Sequence, residues 1–236
     1  MRYALPKTSA VFIVAIILIM NFLAYSVSSS LTQSTTLPSA GIIIYSSSST
    51  IAVQVGASHD DAGAYINRNW SLHIPWSLDA SQVSVGHFSL DDRYYNGSLR
   101  FTEVDIPQGA KIVSAVLKLC SDTTCDGTGA RWNIYGQNAD DCDGFSTLDD
   151  FLARPKTVAK VDTGFFTEWA EGAWYEVSDI SAIIQEIVNR PGWESGNALV
   201  LLLFGHADAG TTHEIRSYDA NPNQAAILEV TYEVAG

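Results

Sequence analysis

Residues 97–119 read GSLRFTEVDIPQGAKIVSAVLKL, and they decide the fold class. Ser98, Arg100, Thr102 and Val104 alternate against Leu99, Phe101 and Glu103, the period-two pattern of a half-buried strand. Pro107-Gln108-Gly109 supplies turn chemistry, proline fixing one φ and glycine permitting a positive one. Ile112, Ser114, Val116 and Lys118 then alternate against Val113, Ala115, Leu117 and Leu119. The stretch reads as two strands joined by a tight turn, a β-hairpin.

The same signals recur on both sides. Strands are expected over residues 50–55, 83–90, 131–136, 157–162, 172–177, 197–204, 213–218 and 226–234. The run NALVLLLF (197–204) is apolar throughout, as a central strand covered on both faces would be. Residues 178–190 carry Ile180, Ile183, Ile184, Ile187 and Val188 at helical spacing, with Ser178 or Asp179 as N-cap and Pro191-Gly192 as the stop. A short helix is expected within 145–152. Many strands, one amphipathic helix and no repeat predict an all-β jelly-roll β-sandwich with one packed α-helix, a single domain over residues 50–236.

The N-terminal fifth has a different composition. Arg2 and Lys7 precede an apolar run over 10–24, and small polar residues follow. Residues 1–30 therefore read as a secretory signal peptide or an uncleaved membrane anchor, and the protein as secreted or held at the cell surface. Residues 31–49 form a Ser/Thr-rich linker. Inside it, Ile42, Ile43, Ile44 and Tyr45 make a compact apolar β-former. It is either an extra first strand of the same domain or a donor strand, within 41–55, that pairs with a neighbouring subunit and builds a homo-polymer. The 236-residue chain carries a formal charge of −13, which repels nucleic acid and anionic membrane and leaves the leader as the membrane contact.

Catalytic motifs are absent: the sequence has no GxSxG, P-loop, dinucleotide-binding glycine pattern or HExxH. Glu168 and Glu171 are an undistinguished carboxylate pair. A non-enzymatic reading follows. Trp70, Trp76 and Trp169 fall in or near expected loops, where aromatic faces can stack on sugars, so glycan binding is the alternative to a structural or adhesive role. Trp132 and Trp174 fall within strands, and Trp193 behind the helix end. Asn69 and Asn96 head N-x-S sequons. Cys120, Cys125 and Cys142 are the only cysteines; Cys120–Cys125 or Cys125–Cys142 pairing would leave one thiol over. Asp60-Asp61 and the acidic loop NADDCDG (138–144) are the carboxylate clusters, the second matching a calcium loop only in part.

Ser98-Leu99-Arg100-Phe101, Ile106-Pro107, Gly109-Ala110, Ile112, Ser114-Ala115 and Leu117 resemble the hairpin of DNRLRE-type extracellular modules, which belong with the galactose-binding-like, carbohydrate-binding-module jelly rolls. Residues 183–193, the SGNALVLLL stretch and Ser217-Tyr218-Asp219 extend the similarity over residues 50–233. The resemblance implies an exported module, often with a structural calcium where the first and last strands meet. If those strands pair antiparallel here, the end of TIAVQV lies near the start of AAILEVTY. Asp60 or Asp61 then comes close to Asp219, giving a two-loop set of oxygen ligands.

Overall fold

The computed structural model describes residues 47–67, 76–90, 92–125 and 129–234, which belong to one compact unit, Ile44–Gly236. The leader, most of the linker, Ile42, Ile43, Ile44, Tyr45, Asn69 and Trp70 lie outside the described residues. Among those described, no helix is long and apolar enough to cross a membrane.

In chain order the strands are β1 (Ser47–Gln54), β2 (Asp61–Asn67), β3 (Gln82–Phe88), β4 (Arg93–Phe101), β5 (Lys111–Cys120) and β6 (Trp132–Gln137). They continue as β7 (Lys156–Asp162), β8 (Trp174–Asp179), β9 (Leu199–Gly205), β10 (Thr212–Arg216) and β11 (Ile227–Val234). Helix α1 (Leu148–Ala153) lies between β6 and β7, and α2 (Ser181–Val188) between β8 and β9. Two antiparallel sheets form a jelly-roll-like sandwich. One has the order β1-β11-β5-β8, the other β10-β3-β4-β9-β6-β7 with β2 also paired to β4.

The opening stretch is not a hairpin. Its two strands fall in different sheets, β4 beside β9 and β5 between β11 and β8, so residues 102–110 cross from one layer of the sandwich to the other. Alternation reports which face of a strand is buried; it carries nothing about which neighbour pairs with it. Leu99 and Phe101 of β4 meet Leu117 and Leu119 of β5 through the shared core. Two local irregularities adjust that facing. Glu103 takes φ +55, and beyond it Val104 turns inward to full burial. The β11–β5 register slips between Thr231 and Tyr232, passing over Val113. This bulge leaves Val113 48% exposed and brings Ile112 into the core, reversing the simple alternation.

Strand β9 explains the apolar run. Leu199, Leu201 and Leu203 join the core between the sheets. Val200 and Leu202 join a second apolar cluster with Phe145 and Phe151, roofed by α1 and residues 138–146. Helix α2 buries Ile183, Ile184, Ile187 and Val188 as its stripe demands. It starts later than expected because the Asp179 carboxylate accepts the Ser181 N–H at 2.8 Å and Ser178 is an extra residue with φ +38 where β8 slips against β5. Strands β1 and β11 pair antiparallel from Ser47↔Val234 to Gln54↔Ile227, so the first and last described strands meet as anticipated, with β1 paired within its own chain.

Glycine at 97 sets how closely β3 packs on β4. A Cβ there would lie 2.4 Å from Val83 Cγ1, inside any tolerable contact. Gly97→Ala is expected to lower stability by about 1–3 kcal/mol through overpacking. Val83→Ala should recover much of that loss. A double-mutant cycle read by urea denaturation checks it, and additive losses would show that the contact does not limit packing.

Candidate functional site

The expected convergence of the Asp60-Asp61 loop with Asp219 is present, and it forms a polar knot at one end of the sandwich. A single 3-10 turn over Ser58–Asp60 leads straight into β2 and buries both Asp60 and Asp61. Asp60 Oδ1 accepts from Arg100 Nη1 at 2.7 Å, and Arg100 Nε donates to the Cys142 carbonyl at 2.8 Å. Asp61 Oδ2 accepts the Tyr218 N–H at 2.7 Å. The Ser58 hydroxyl lies 2.9 Å from Asp219 Oδ2 and 3.1 Å from the Leu78 carbonyl. Ser217 Oγ donates to Ala80 O at 2.6 Å. The knot therefore ties together the start of β2, the segment before β3 and the turn after β10.

The residues of the knot do not fit calcium as they stand. A hard cation needs several oxygens free to converge. Here a guanidinium already neutralises Asp60, and a backbone N–H occupies Asp61 Oδ2. No group of three His, Cys, Asp or Glu side chains among the described residues is placed to hold a metal ion. Arg100 supplies the positive charge at this spot. Burial, opposed in part by the Tyr218 N–H and reinforced by the neighbouring Asp219 and Asp60 charges, pushes the Asp61 carboxyl up to about 7.

The acidic loop 138–144 is likewise a scaffold. Asp140 pairs with Arg190 at 2.7 Å. Asp141 Oδ1 accepts the Ala198 N–H at 2.8 Å. Arg154, itself buried, donates to the Asp143 and Gly144 carbonyls and to Asp150. Three arginines, counting Arg100, thus clamp the loop over the outer face of β9. Beside it lies a polar depression of about 250 Å3 lined by Asp141, Asp143, Asp150 and Arg154.

The aromatic expectations are corrected. Trp169 is 2% exposed, with its face stacked 4.5 Å from Tyr175, so it offers no platform. Trp76 is spent on the second core, stacked 4.9 Å from Phe151. Trp193 packs behind α2 as expected and donates to Ile106 O at 2.9 Å. Among the described tryptophans the exposed one is Trp174, which falls within a strand as expected and stands on the outer side of the edge strand β8. Asn96 is 3% exposed in the middle of β4 and its Oδ1 accepts the Gly205 N–H at 3.1 Å, which leaves the folded chain no room for a glycan there. The three cysteines are free thiols; in the second core, burial pushes Cys142 up to about 11. Glu171 lies 3.5 Å from Arg216 on the surface.

Sequence reading missed His213. Its ring is fully buried among Trp132, Phe166 and Trp169, at centroid distances of 6.1, 5.8 and 4.3 Å. Neither ring nitrogen has a hydrogen-bond partner, and the Trp132 indole N–H also lacks one. Burial alone drives the imidazole down to about 4. The available signal was parity: His213 shares its strand face with the core residue Ile215. No family model matches the chain, and no curated protein matches it.

Asp61 and His213 tilt stability in opposite directions. Between about pH 4 and 7 native Asp61 holds a proton that the unfolded chain has lost, so its contribution falls as pH rises. Between about 4 and 6.5 the unfolded His213 holds a proton that the native state refuses, so its contribution falls as pH falls. Each slope is about 1.4 kcal/mol per pH unit, and over their shared window they cancel. Relative to wild type, Asp61→Asn should gain about 2–3 kcal/mol of stability dependence favouring pH 6.5 over 4.5, and His213→Phe the reverse. Urea titrations at those two pH values test this; parallel profiles for the three proteins would refute it.

Proposed function

We propose that the chain is a non-catalytic exported surface protein, structural or adhesive, that associates with copies of itself along β1. The carrying observation is the outer edge of β1. It runs eight residues in unbroken register, reads SSSTIAVQ, and contains no Lys, Arg, Pro or bulge. Such an edge presents unpaired backbone groups to an incoming strand.

The other sheet edges are managed. On β2, Gly63 and Ser77 exchange two backbone hydrogen bonds at 3.2 and 3.1 Å. On β7 the Glu186 carboxylate accepts the Val158 and Ala159 N–H groups at 2.8 and 2.7 Å. On β10 the Glu214 carbonyl accepts the Asp122 N–H at 2.8 Å. Strand β8 is short, carries Glu176 and Asp179, and ends in the Ser178 irregularity. The apolar segment Ile42–Tyr45 directly precedes β1 in sequence and is the proposed donor. The N-terminal leader pattern supports export, and the scattering of Asp61, His213 and the cysteines over separate structural roles supports the absence of catalysis. Calcium is not required by this reading.

Light scattering across a concentration series, with and without calcium, tests the proposal. Wild type is expected to form concentration-dependent assemblies. Ile43→Lys and Ala52→Lys, the second placing a cation on the exposed side of the edge, should yield monomers with unchanged thermal melting. A monomeric wild type at every concentration would sink it.

A further inference from the structure

Lys156 and Lys160 stand apart from the other cations of this acidic protein. Elsewhere on the sandwich the positive side chains sit on carboxylates: Arg131 on Asp162 and Asp208, Arg190 on Asp140, Lys118 on Glu229 and Glu176. No carboxylate among the described residues lies within ion-pair distance of Lys156 or Lys160. Their ammonium groups rest on rings instead. Lys156 Nζ is 3.7 Å from the Phe204 centroid and 5.4 Å from that of Tyr135, and Lys160 Nζ is 6.0 Å from Tyr135. Partial desolvation beside these rings lowers the proton affinity of Lys156.

The register places these groups on one face. Lys160 is opposite Tyr135 and Lys156 opposite Gln137. Asn133 precedes Tyr135 by two residues along β6 and lies opposite Phe204 of β9. Between the lysines, Val158 is 91% exposed. Both ammonium groups lie near the one Tyr135 ring, which keeps the two charges within about 11 Å of each other. Asp162, at the end of the row, is committed to Arg131, so it does not neutralise them. Asn133 has no side-chain partner among the described residues. Gln137 spends its Oε1 on Arg154, which leaves its amide nitrogen for a ligand.

We infer that the outer face of β6 and β7, centred on Lys156, Lys160, Asn133 and Gln137, binds a linear acidic polysaccharide. The lysines meet its carboxylates or sulfates and the amides meet its hydroxyls. The aromatic rings keep the ammonium groups in place, so little side-chain entropy is lost on binding. A glycan is favoured over an acidic peptide because a peptide would join as an added strand. The β7 edge denies it the Val158 and Ala159 N–H groups, which Glu186 holds. The inference does not depend on self-association through β1.

Isothermal titration of the full chain with alginate, heparin, dextran and poly-glutamate at 50 and 300 mM NaCl is the test. Binding to alginate, heparin or both at low salt, at least tenfold weaker at high salt and undetectable with dextran, is expected; which one binds identifies carboxylate or sulfate as the anion. Lys156→Gln with Lys160→Gln should weaken it at least tenfold, and Lys111→Gln, on the other sheet, should leave it unchanged. Because Lys156 also packs on Phe204, Lys160→Gln alone, on an exposed side chain, must weaken binding as well, at unaltered thermal melting. No binding to either acidic glycan, full binding by the double variant, or poly-glutamate binding as tightly would overturn the assignment.

Discussion

The two-sided burial of β9 is the constraint on which the rest of the structure depends. An antiparallel sandwich strand ordinarily needs one apolar face. β9 has two, with Leu199, Leu201 and Leu203 turned to the main core and Val200 and Leu202 to the opposite side. Leaving the second face in water would expose apolar surface worth about 25 cal/mol per Å2. The chain covers it with α1 and the 138–146 segment, and that cover must itself be fixed. The acidic loop is fixed by Arg100, Arg154 and Arg190 through backbone carbonyls as much as through carboxylates. The aspartates of residues 138–144 belong to this clamp. The cover ends at Phe204, whose half-buried ring stacks 5.0 Å from Phe151 of α1 and carries Lys156 beyond it. The lysine-bearing face therefore exists because the roof over β9 ends there.

The two buried titratable groups show how differently polar burial can be handled. Asp61 is taken out of water but receives the Tyr218 N–H, and through it joins β2 to the turn before β11. His213 receives nothing. An unsatisfied buried polar group costs about 1–3 kcal/mol, and the packed rings of Trp132, Phe166 and Trp169 around it are the visible offset. Both groups are neutral in the middle of the acid range, so the sandwich interior carries no uncompensated charge there although the surface is strongly acidic.

The layer architecture was legible from sequence where a pattern spans a whole element. The all-apolar 197–204 run could only be a strand covered twice, and the isoleucine stripe of α2 could only face a core. The meeting of β1 with β11 brought Asp60, Asp61 and Asp219 together as foreseen. What stayed hidden depends on contacts between distant residues. Nothing in residues 97–119 says that β4 and β5 join different sheets, since the Pro107–Gly109 turn suits a hairpin and a layer crossing equally. The inward turns of Val104 and Ile112 come from one positive φ and one bulge, each a single-residue event inside a regular alternation. Asn96 matches a sequon as well as any surface asparagine does; only pairing on both sides of β4 removes it from solvent. Arg100, which neutralises Asp60, lies forty residues from it in the chain and has no local signature as its partner.

Edge management connects the fold to the proposed role. Glu186 occupies the backbone donors of β7, Asp122 occupies the Glu214 carbonyl of β10, and a bulge shortens β8, while β1 is left regular and uncharged. Protection on the other edges makes the β1 edge, uncovered among the described residues, informative, because a chain under general pressure against edge pairing would be expected to blunt it too. The β1 edge and the Lys156–Lys160 face belong to different sheets, so a strand added at the first does not cover the second. Two ammonium groups give weak attraction to a polyanion in salt. Repeated along an assembly joined through β1, the same pair would act many times on one polymer, and avidity would replace the affinity that a single face lacks.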